Sequence, residues 1–316
     1  MKVVISDCNF AGAFEEEKKV CDRAGFNLEI YQHKEEDKII EVAKDADALL
    51  VQYGIYSDRI LSQLNNAKVI VRYGIGVDNI DLEAAKKYGI AVCNVPDYGI
   101  AEVADHAASL AVSLGRQLPF WHDSIIGNQW PASTPTTLKS FSDMNFVVLG
   151  AGRIGRETIK RMQVFGFKCY AYDPYVSQAV LSGMNVQKVE LEEAIKMADI
   201  LSLHLPHTPE THHLINQQRL SKMKPTATLI NTSRGALIHT KELAEALNQG
   251  EIANAGIDVF EAEPMEGDHP LRTAKNILMT PHISYYSEAS VRRLQRYAAE
   301  EVERTLNGEA LRCQVV

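Results

Sequence analysis

The chain has 316 residues, more than one hydrophobic core usually organises, and 46% of them are hydrophobic, enough for two globular domains. A formal net charge of -8, with acidic and basic residues interspersed and no long basic run, argues against a protein that binds nucleic acid by neutralising its phosphates. The five cysteines, Cys8, Cys21, Cys93, Cys169 and Cys313, are scattered and show no CxxC or other metal-ligand spacing, which fits a reducing cytoplasm.

The opening MKVVISDC carries an apolar run too short for a signal-peptide core. No stretch approaches the roughly 18 apolar residues of a membrane span. In chain order, apolar β-type runs then alternate with helical segments. VVIS (3–6), a charged helix near 14–24, LEIYQ (28–32) and the helical EEDKIIEVAKDA come first. ALLVQ (48–52), a helix near 57–66, KVIVR (68–72), a helix near 81–88 and IAVCNV (90–95) follow. Five β/α repeats predict a parallel, doubly wound sheet.

AEVADHAASLAVSLGRQL (101–118) is rich in Ala, Ser, Val and Leu on nearly every face, which predicts a helix buried all round at a domain or subunit junction. A helix near 119–127 leads into QWPASTPTTLKS, a Ser/Thr/Pro-rich stretch that reads as an extended arm or loop. A second alternation runs from NFVVLG (145–150) through FKCYAYD, ADILSLHL, ATLIN, NAGIDVF and NILMT, so a second doubly wound sheet is expected. Past residue 283 stand one helix, near 287–307, and the tail LRCQVV, too little to form a domain alone.

The strand NFVVL ends in Gly150, Gly152 and Gly155, spaced GxGxxG and followed at once by a helical pattern. The first glycine permits a tight turn, the second lets a pyrophosphate approach the backbone, and the third allows close helix-strand packing, with the phosphates at the helix N-terminus. The next strand ends in Asp173, where an acid can hydrogen-bond a ribose diol and would repel a 2'-phosphate. NAD is therefore expected over NADP.

Three later strand ends carry ionisable groups. ATLIN leads to Arg234, NAGIDVF to Glu261 and Glu263, and NILMTP to His282. Transfer of a hydride between nicotinamide and the carbon of a 2-hydroxy acid needs a fixed cation for the carboxylate and a base for the hydroxyl proton. Arginine offers a planar fork that grips a carboxylate in two places. Histidine takes or returns a proton near neutral pH, and a neighbouring carboxylate favours its protonated form and fixes its tautomer. Spacing alone does not choose between the two glutamates. A metal reading of the histidines in HLPHTPETHH (His204, His207, His212 and His213) lacks an accompanying carboxylate or cysteine cluster.

These residues resemble the D-isomer-specific 2-hydroxyacid dehydrogenases over essentially the whole chain. The family's nucleotide signature is similar to GAGRIGRETIKRM here, its arginine motif to NTSRG, its glutamate motif to DVFEAEP and its histidine motif to TPHIS. The resemblance implies a Rossmann NAD domain at 99–284 inserted in a flavodoxin-like substrate domain built from 1–98 and 285–316, with hinges near 97–101 and 283–287. It implies Arg234 on the substrate carboxylate, His282 as acid/base, and Glu263 supporting the histidine. For the cofactor it implies Gly150, Gly152, Arg153, Ile154, Gly155, Asp173 and Pro206, with Thr232 and Ser233 lining the nicotinamide and Asp258 holding the carboxamide. Backbone amides of Gly74, Ile75 and Gly76 in RYGIGVDNID would assist Arg234, and Tyr53-Gly54 would form the first substrate loop.

Members of this family are usually homodimers joined through the cofactor domain, which the helix at 101–118 and its following arm would provide. SYYSEAS (284–290) is closer to the branch that includes the C-terminal binding proteins, corepressors on a dehydrogenase fold. With Tyr53 and Tyr285 in the substrate pocket, aromatic walls and a substrate with an apolar tail are expected. The expected partner is a small 2-oxo or 2-hydroxy acid, not nucleic acid or a membrane. Two alternatives remain. One is serine-pathway 3-phosphoglycerate dehydrogenase, for which Arg72 is the obvious nearby cation and no regulatory domain follows residue 316. The other is an NAD-sensing binding protein with a vestigial site.

Overall fold

The computed structural model describes residues 1–8, 10, 14–131 and 138–316. The chain divides into two compact units, Met1–Gly99 with Tyr286–Val316, and Ile100–Tyr285.

In the first unit, β1 (Lys2–Ile5), β2 (Asn27–Ile30), β3 (Ala48–Val51), β4 (Val69–Arg72) and β5 (Ala91–Cys93) form a five-stranded sheet in the order β2-β1-β3-β4-β5. Every pairing is parallel. The runs VVI and ALLV are buried throughout, as strands covered on both faces require. The helices between them are α1 (Glu15–Ala24), α2 (Glu36–Ala43), α3 (Asp58–Leu61) and α4 (Leu82–Lys87). α1 stops at Gly25, which takes the left-handed conformation at φ 70°, and α4 starts at Asp81, whose carboxylate accepts the Ala84 N–H. The helix expected at 57–66 is a single four-residue turn, because the polar Ser62-Gln63 and Asn65-Asn66 offer little apolar face to hold a longer one. The last helix, Glu288–Leu306, begins in a capping box between Ser287 and Ser290 and packs against α1.

The second unit opens with α5 (Ile100–Gly115) and α6 (Leu118–Ile126). Its strands are β6 (Asn145–Leu149), β7 (Lys168–Tyr172), β8 (Gln187–Lys188), β9 (Ile200–Leu203), β10 (Thr228–Asn231), β11 (Asn254–Ile257) and β12 (Ile277–Met279). Its remaining helices are α7 (Arg153–Val164), α8 (Gln178–Ser182), α9 (Leu191–Met197), α10 (Gln217–Leu220) and α11 (Thr240–Gln249). The seven-stranded sheet runs β12-β11-β10-β9-β6-β7-β8, again wholly parallel.

Alternation along the strands divides the core in two. Val147, Leu149, Leu201, Leu203 and Leu229 enter one cluster with Leu243 and Leu247 of α11. Phe146, Val148, Ile200 and Ile230 enter the other with Leu110 and Leu114 of α5 and Ile159 of α7. β8 is too short and polar to read as a strand from its sequence.

The expectation that 101–118 is buried all round is corrected. Ala101, Asp105 and Ser109 lie one turn apart and are exposed, while Val103, Ala104, Ala107, Ala108, Leu110, Ala111 and Leu114 are buried. Small and polar residues on the outer stripe are tolerated in either environment, so composition did not distinguish the faces. The central part of the expected arm, 132–137, lies outside the described residues.

Candidate active site

Parallel sheets bind ligands beyond the carboxyl ends of their strands, where the strand order reverses. In the second unit that point lies between β6 and β9. β6 delivers the glycine loop there, and each glycine answers a separate constraint. Gly150 has φ 97°, and a Cβ on it would stand 2.5 Å from the His204 carbonyl oxygen. A Cβ on Gly155 would stand 2.1 Å from the Gly150 carbonyl oxygen, so the start of α7 touches the loop directly. A Cβ on Gly152 meets nothing within 4 Å. The protein does not use that space, which is where a pyrophosphate would need to reach the backbone. Gly152 is also the residue on which α7 starts, with Arg153 and Ile154 forming its first turn, so unbonded N–H groups accompany the space.

Asp173, at the end of β7, is buried and organises the same loop. Its Oδ2 accepts the Ala151 N–H at 2.8 Å, and its Oδ1 accepts those of Tyr175 at 2.8 Å and Val176 at 3.1 Å. A carboxylate has about four acceptor positions, so one remains on Oδ2 for a ribose hydroxyl. After β9, Pro206 is exposed and its carbonyl accepts from Thr211. Thr232, beyond β10, is buried and its hydroxyl oxygen has no hydrogen-bond partner among the described residues. Such an orphan is costly unless a ligand satisfies it. Ser233 is held by its own hydroxyl on the Leu203 carbonyl at 2.7 Å. The open space at Gly152, the bare hydroxyl of Thr232 and the remaining acceptor of Asp173 fit a dinucleotide.

Arg234 follows at the entry to a short 3-10 turn. Its Nη1 donates to the Ser233 carbonyl at 2.7 Å, and Asn231 fixes the turn by donating to the Arg234 carbonyl at 2.8 Å. Gly235 is required by close approach: a Cβ there would fall 1.9 Å from the Phe260 carbonyl carbon. The arginine turn is thus laid directly on the backbone that carries the glutamates.

Those glutamates diverge. Glu263 Oε2 accepts from His282 Nδ1 at 2.6 Å, and its Oε1 accepts the Phe260 N–H at 2.9 Å. Glu261 instead pairs with His213 Nε2 at 2.6 Å and accepts the Thr240 N–H at the start of α11, a structural role. Burial pushes the Glu263 carboxyl upward, but the hydrogen bond and charge of His282, the Phe260 amide and the positive field of Arg234 outweigh it and leave it below the ordinary carboxylate value. Arg234, Glu263 and His282 therefore act on one another within a single unit.

His282 has φ 51°, left-handed for a non-glycine residue. Asp258, wholly buried at the end of β11, holds that turn. Its Oδ1 accepts from the Thr280 hydroxyl at 2.5 Å and from Ile283 N–H at 3.0 Å, and its Oδ2 accepts Ser284 N–H at 3.0 Å. The expected contact of Asp258 with a carboxamide is thus joined by a structural duty that the sequence did not reveal. Tyr285 sets its ring edge against the His282 imidazole, centroids 6.3 Å apart.

In the first unit the strand order reverses between β1 and β3, and Asp7 lies just past the end of β1. It is fully buried and accepts the amides of Tyr53 at 2.6 Å and Gly54 at 3.1 Å, while Asn79 donates to the Gly54 carbonyl at 2.7 Å. Tyr53 projects its ring outward under Lys34, whose Nζ is 5.0 Å from the centroid. In the loop after β4, the Gly74 N–H donates to the Arg72 carbonyl at 2.9 Å, so this amide, expected on the substrate, is already engaged. The amides of Ile75 and Gly76 donate to no acceptor among the described residues. Asn94 donates to the Ile75 carbonyl at 2.7 Å, and Tyr73 donates to the buried Glu17 at 2.7 Å. The Arg72 guanidinium covers Gly74, where a Cβ would lie 1.7 Å from Nη1. Asp7, Asn79, Asn94 and Glu17 were missed in the sequence. Only Asp7, at a strand end, carried a signal.

Among the described residues, no group of three or more His, Cys, Asp or Glu side chains is arranged to hold a metal ion. His207 and His212 face each other at 3.1 Å, and burial pushes His204 down to about 4.

A parallel-sheet unit with this glycine loop at its switch point has the form of a dinucleotide-binding domain. The profile of the D-isomer specific 2-hydroxyacid dehydrogenase NAD binding domain matches residues 108–284. D-3-phosphoglycerate dehydrogenase of Methanocaldococcus jannaschii is 35% identical over 311 residues, 98% of this chain and 58% of that protein. Hydroxypyruvate reductase of Blautia hydrogenotrophica is 33% identical over 277 residues, 86% of each. The structure of D-2-hydroxyisocaproate dehydrogenase superposes with a TM-score of 0.85 at 27% identity, covering 100% of this chain and 99% of that one. That of D-lactate dehydrogenase from Aquifex aeolicus, complexed with NAD and lactic acid, gives 0.87 at 29% identity, covering 97% and 96%.

The chain belongs to the D-isomer-specific 2-hydroxyacid dehydrogenase family, close to its phosphoglycerate-dehydrogenase-like branch, and its second unit is the NAD-binding domain. It spans 58% and 52% of the D-3-phosphoglycerate dehydrogenases of M. jannaschii and Mycobacterium tuberculosis.

Proposed function

We propose that the protein interconverts a 2-oxo acid and a D-2-hydroxy acid with NAD as hydride carrier. The observation that carries this reading is the 2.6 Å contact between His282 Nδ1 and Glu263 Oε2, within the field of Arg234 and in the same unit as the glycine loop. Because the carboxylate accepts from Nδ1, the Nε2 atom is left to exchange a proton with the substrate. The imidazolium gives that proton as the hydroxyl forms and the neutral ring removes it in the reverse direction, with Glu263 balancing the charge. Arg234 grips the substrate carboxylate through its planar donor fork. The bound nicotinamide supplies or accepts the hydride.

Tyr285, whose ring stands against the His282 imidazole, supports a substrate with an apolar tail. A second reading, a 3-phosphoglycerate dehydrogenase, draws on the guanidinium of Arg72 over Gly74 and on the relatives that bear that name. No helix among the described residues is long and apolar enough to cross a membrane. We place the protein in a reducing cytoplasm, as a dimer joined through α5 and α6, without a nucleic-acid partner. The apolar side chains of Leu118, Ile125, Ile126 and Trp130, exposed in the isolated chain, support that surface.

The test is NADH oxidation against a panel of 2-oxo acids that includes glyoxylate, branched-chain and aromatic members and phosphohydroxypyruvate. Turnover that rises with apolar tail length supports the first reading, and preference for phosphohydroxypyruvate the second. Tight NADH binding with no turnover of any member would leave a cofactor-sensing protein instead.

A further inference from the structure

His106, on α5, is not among the residues that the reaction above uses, yet it reaches the turn that presents His282. Its Nε2 lies 3.0 Å from Thr280 Oγ1 and 3.8 Å from Asp258 Oδ1. Thr280 Oγ1 is in turn 2.5 Å from Asp258 Oδ1. Two oxygens at that separation repel unless a proton lies between them, so the single hydroxyl proton of Thr280 belongs to the Asp258 contact. Thr280 then has only lone pairs to offer His106, and His106 must donate through Nε2–H. The direction of both hydrogen bonds follows from this one distance.

Asp258 is wholly buried and uses both oxygens to hold Ile283 and Ser284, on the far side of His282. The His282 N–H donates to the Asp258 carbonyl at 2.7 Å. The left-handed turn at His282 is therefore clamped from both sides, and a non-glycine residue keeps that conformation only where its surroundings over-determine it. Thr280, Ile283 and Ser284 belong to the turn itself. The donor supplied by α5 is His106, whose Nε2–H reaches the lone pairs of Thr280 Oγ1 and so holds that oxygen in place while its proton goes to Asp258.

We propose that His106 is a positioning residue for His282, acting through Thr280 and Asp258. The effect on turnover rests on the dehydrogenase reading. The effect on the geometry of His282 does not, and the test separates them.

Three variants are compared in the NAD-bound protein. His106→Gln keeps an N–H donor near the Nε2 position, His106→Leu removes it, and Thr280→Val removes the hydroxyl. The expected outcome for His106→Leu is a fall in kcat of roughly 10- to 100-fold, as for a displaced acid/base group, with KM little changed. The His282 imidazole signals in an NMR pH titration, assigned through His282→Gln, should move in His106→Leu. Both readouts should return toward the parent protein in His106→Gln. Thr280→Val should reproduce the loss, and the double variant should lose no more than either single one, because the residues act in series.

A drop in thermal stability for His106→Leu with kcat and the His282 signals unmoved would overturn the proposal. Equal damage from His106→Gln and His106→Leu would overturn it as well. If the parent protein turns over no 2-oxo acid, the dehydrogenase reading fails, while the His282 signals still decide the wiring.

Discussion

Glu263 and His282 stand 19 positions apart and meet at 2.6 Å, whereas Glu261, two residues from Glu263, is turned to His213. The two carboxylates of one short motif thus serve different histidines, and replacing each should give a different result. Glu263→Gln removes the carboxylate that holds His282 Nδ1, so kcat should fall and the acid limb set by that carboxyl should be lost from the pH profile. The Glu263 carboxyl is itself held below its ordinary value, so its charge persists through mild acid and is lost only as pH falls through that lowered value. Glu261→Gln should lower thermal stability modestly and leave the profile in place. His282→Gln should cost about 100- to 10,000-fold in kcat with NADH binding retained. Stopped-assay pH profiles of the three variants check these outcomes, and a profile shift from Glu261→Gln alone would reverse the assignment.

Arg234 is read as a two-point clamp, which an ammonium cannot reproduce. Arg234→Lys keeps the charge but loses one of two charge-assisted hydrogen bonds, each worth about 1.5–3 kcal/mol. Since about 1.4 kcal/mol is tenfold, kcat/KM for the oxo acid should fall by roughly 10- to 100-fold. NADH affinity, measured by fluorescence, should hardly change. Parity of the lysine variant with the parent would remove the clamp from the mechanism.

The glycine loop separates folding from binding. Gly155→Ala drives a Cβ to 2.1 Å from the Gly150 carbonyl, so melting temperature should fall, with a cost of about 1–3 kcal/mol as for other overpacked sites. Gly152→Ala places its methyl group in open space and should melt close to the parent, yet bind NADH at least about tenfold more weakly because the phosphates need that space. Calorimetry and a binding titration on both variants suffice. A Gly152→Ala protein with full NADH affinity would count against the loop as a phosphate cradle.

The thiols differ in access. Burial pushes Cys21 up to about 11, Cys93 and Cys169 up to about 12, and Cys8 upward, while Cys313 is partly exposed. Thiolates are the reactive form, so a thiol reagent at neutral pH should label Cys313 first and the other four only slowly. All five should react in denaturant. Rapid labelling of Cys169 in the native protein would contradict its place in the core.

Apolar runs of four or five residues, β-branched and evenly spaced by helical segments, dictated two parallel sheets. The glycine spacing dictated the turn after β6, because the positive φ of Gly150 and the approach of Gly155 to the Gly150 carbonyl are local, whereas the closeness of Gly150 to the His204 carbonyl is not. Arg234, Glu263 and His282 were likewise legible as ionisable groups at strand ends, since in a parallel sheet those ends share one edge. What the tertiary structure decided was which partner each group meets. Two carboxylates two residues apart are equivalent along the chain, and only the fold turns one to His282 and the other to His213. The Gly74 amide is engaged by the Arg72 carbonyl, Asp258 clamps the histidine turn, and α5 hides one face and shows another. Each of these depends on backbone directions and on neighbours distant in sequence, and a residue's type carries no record of either.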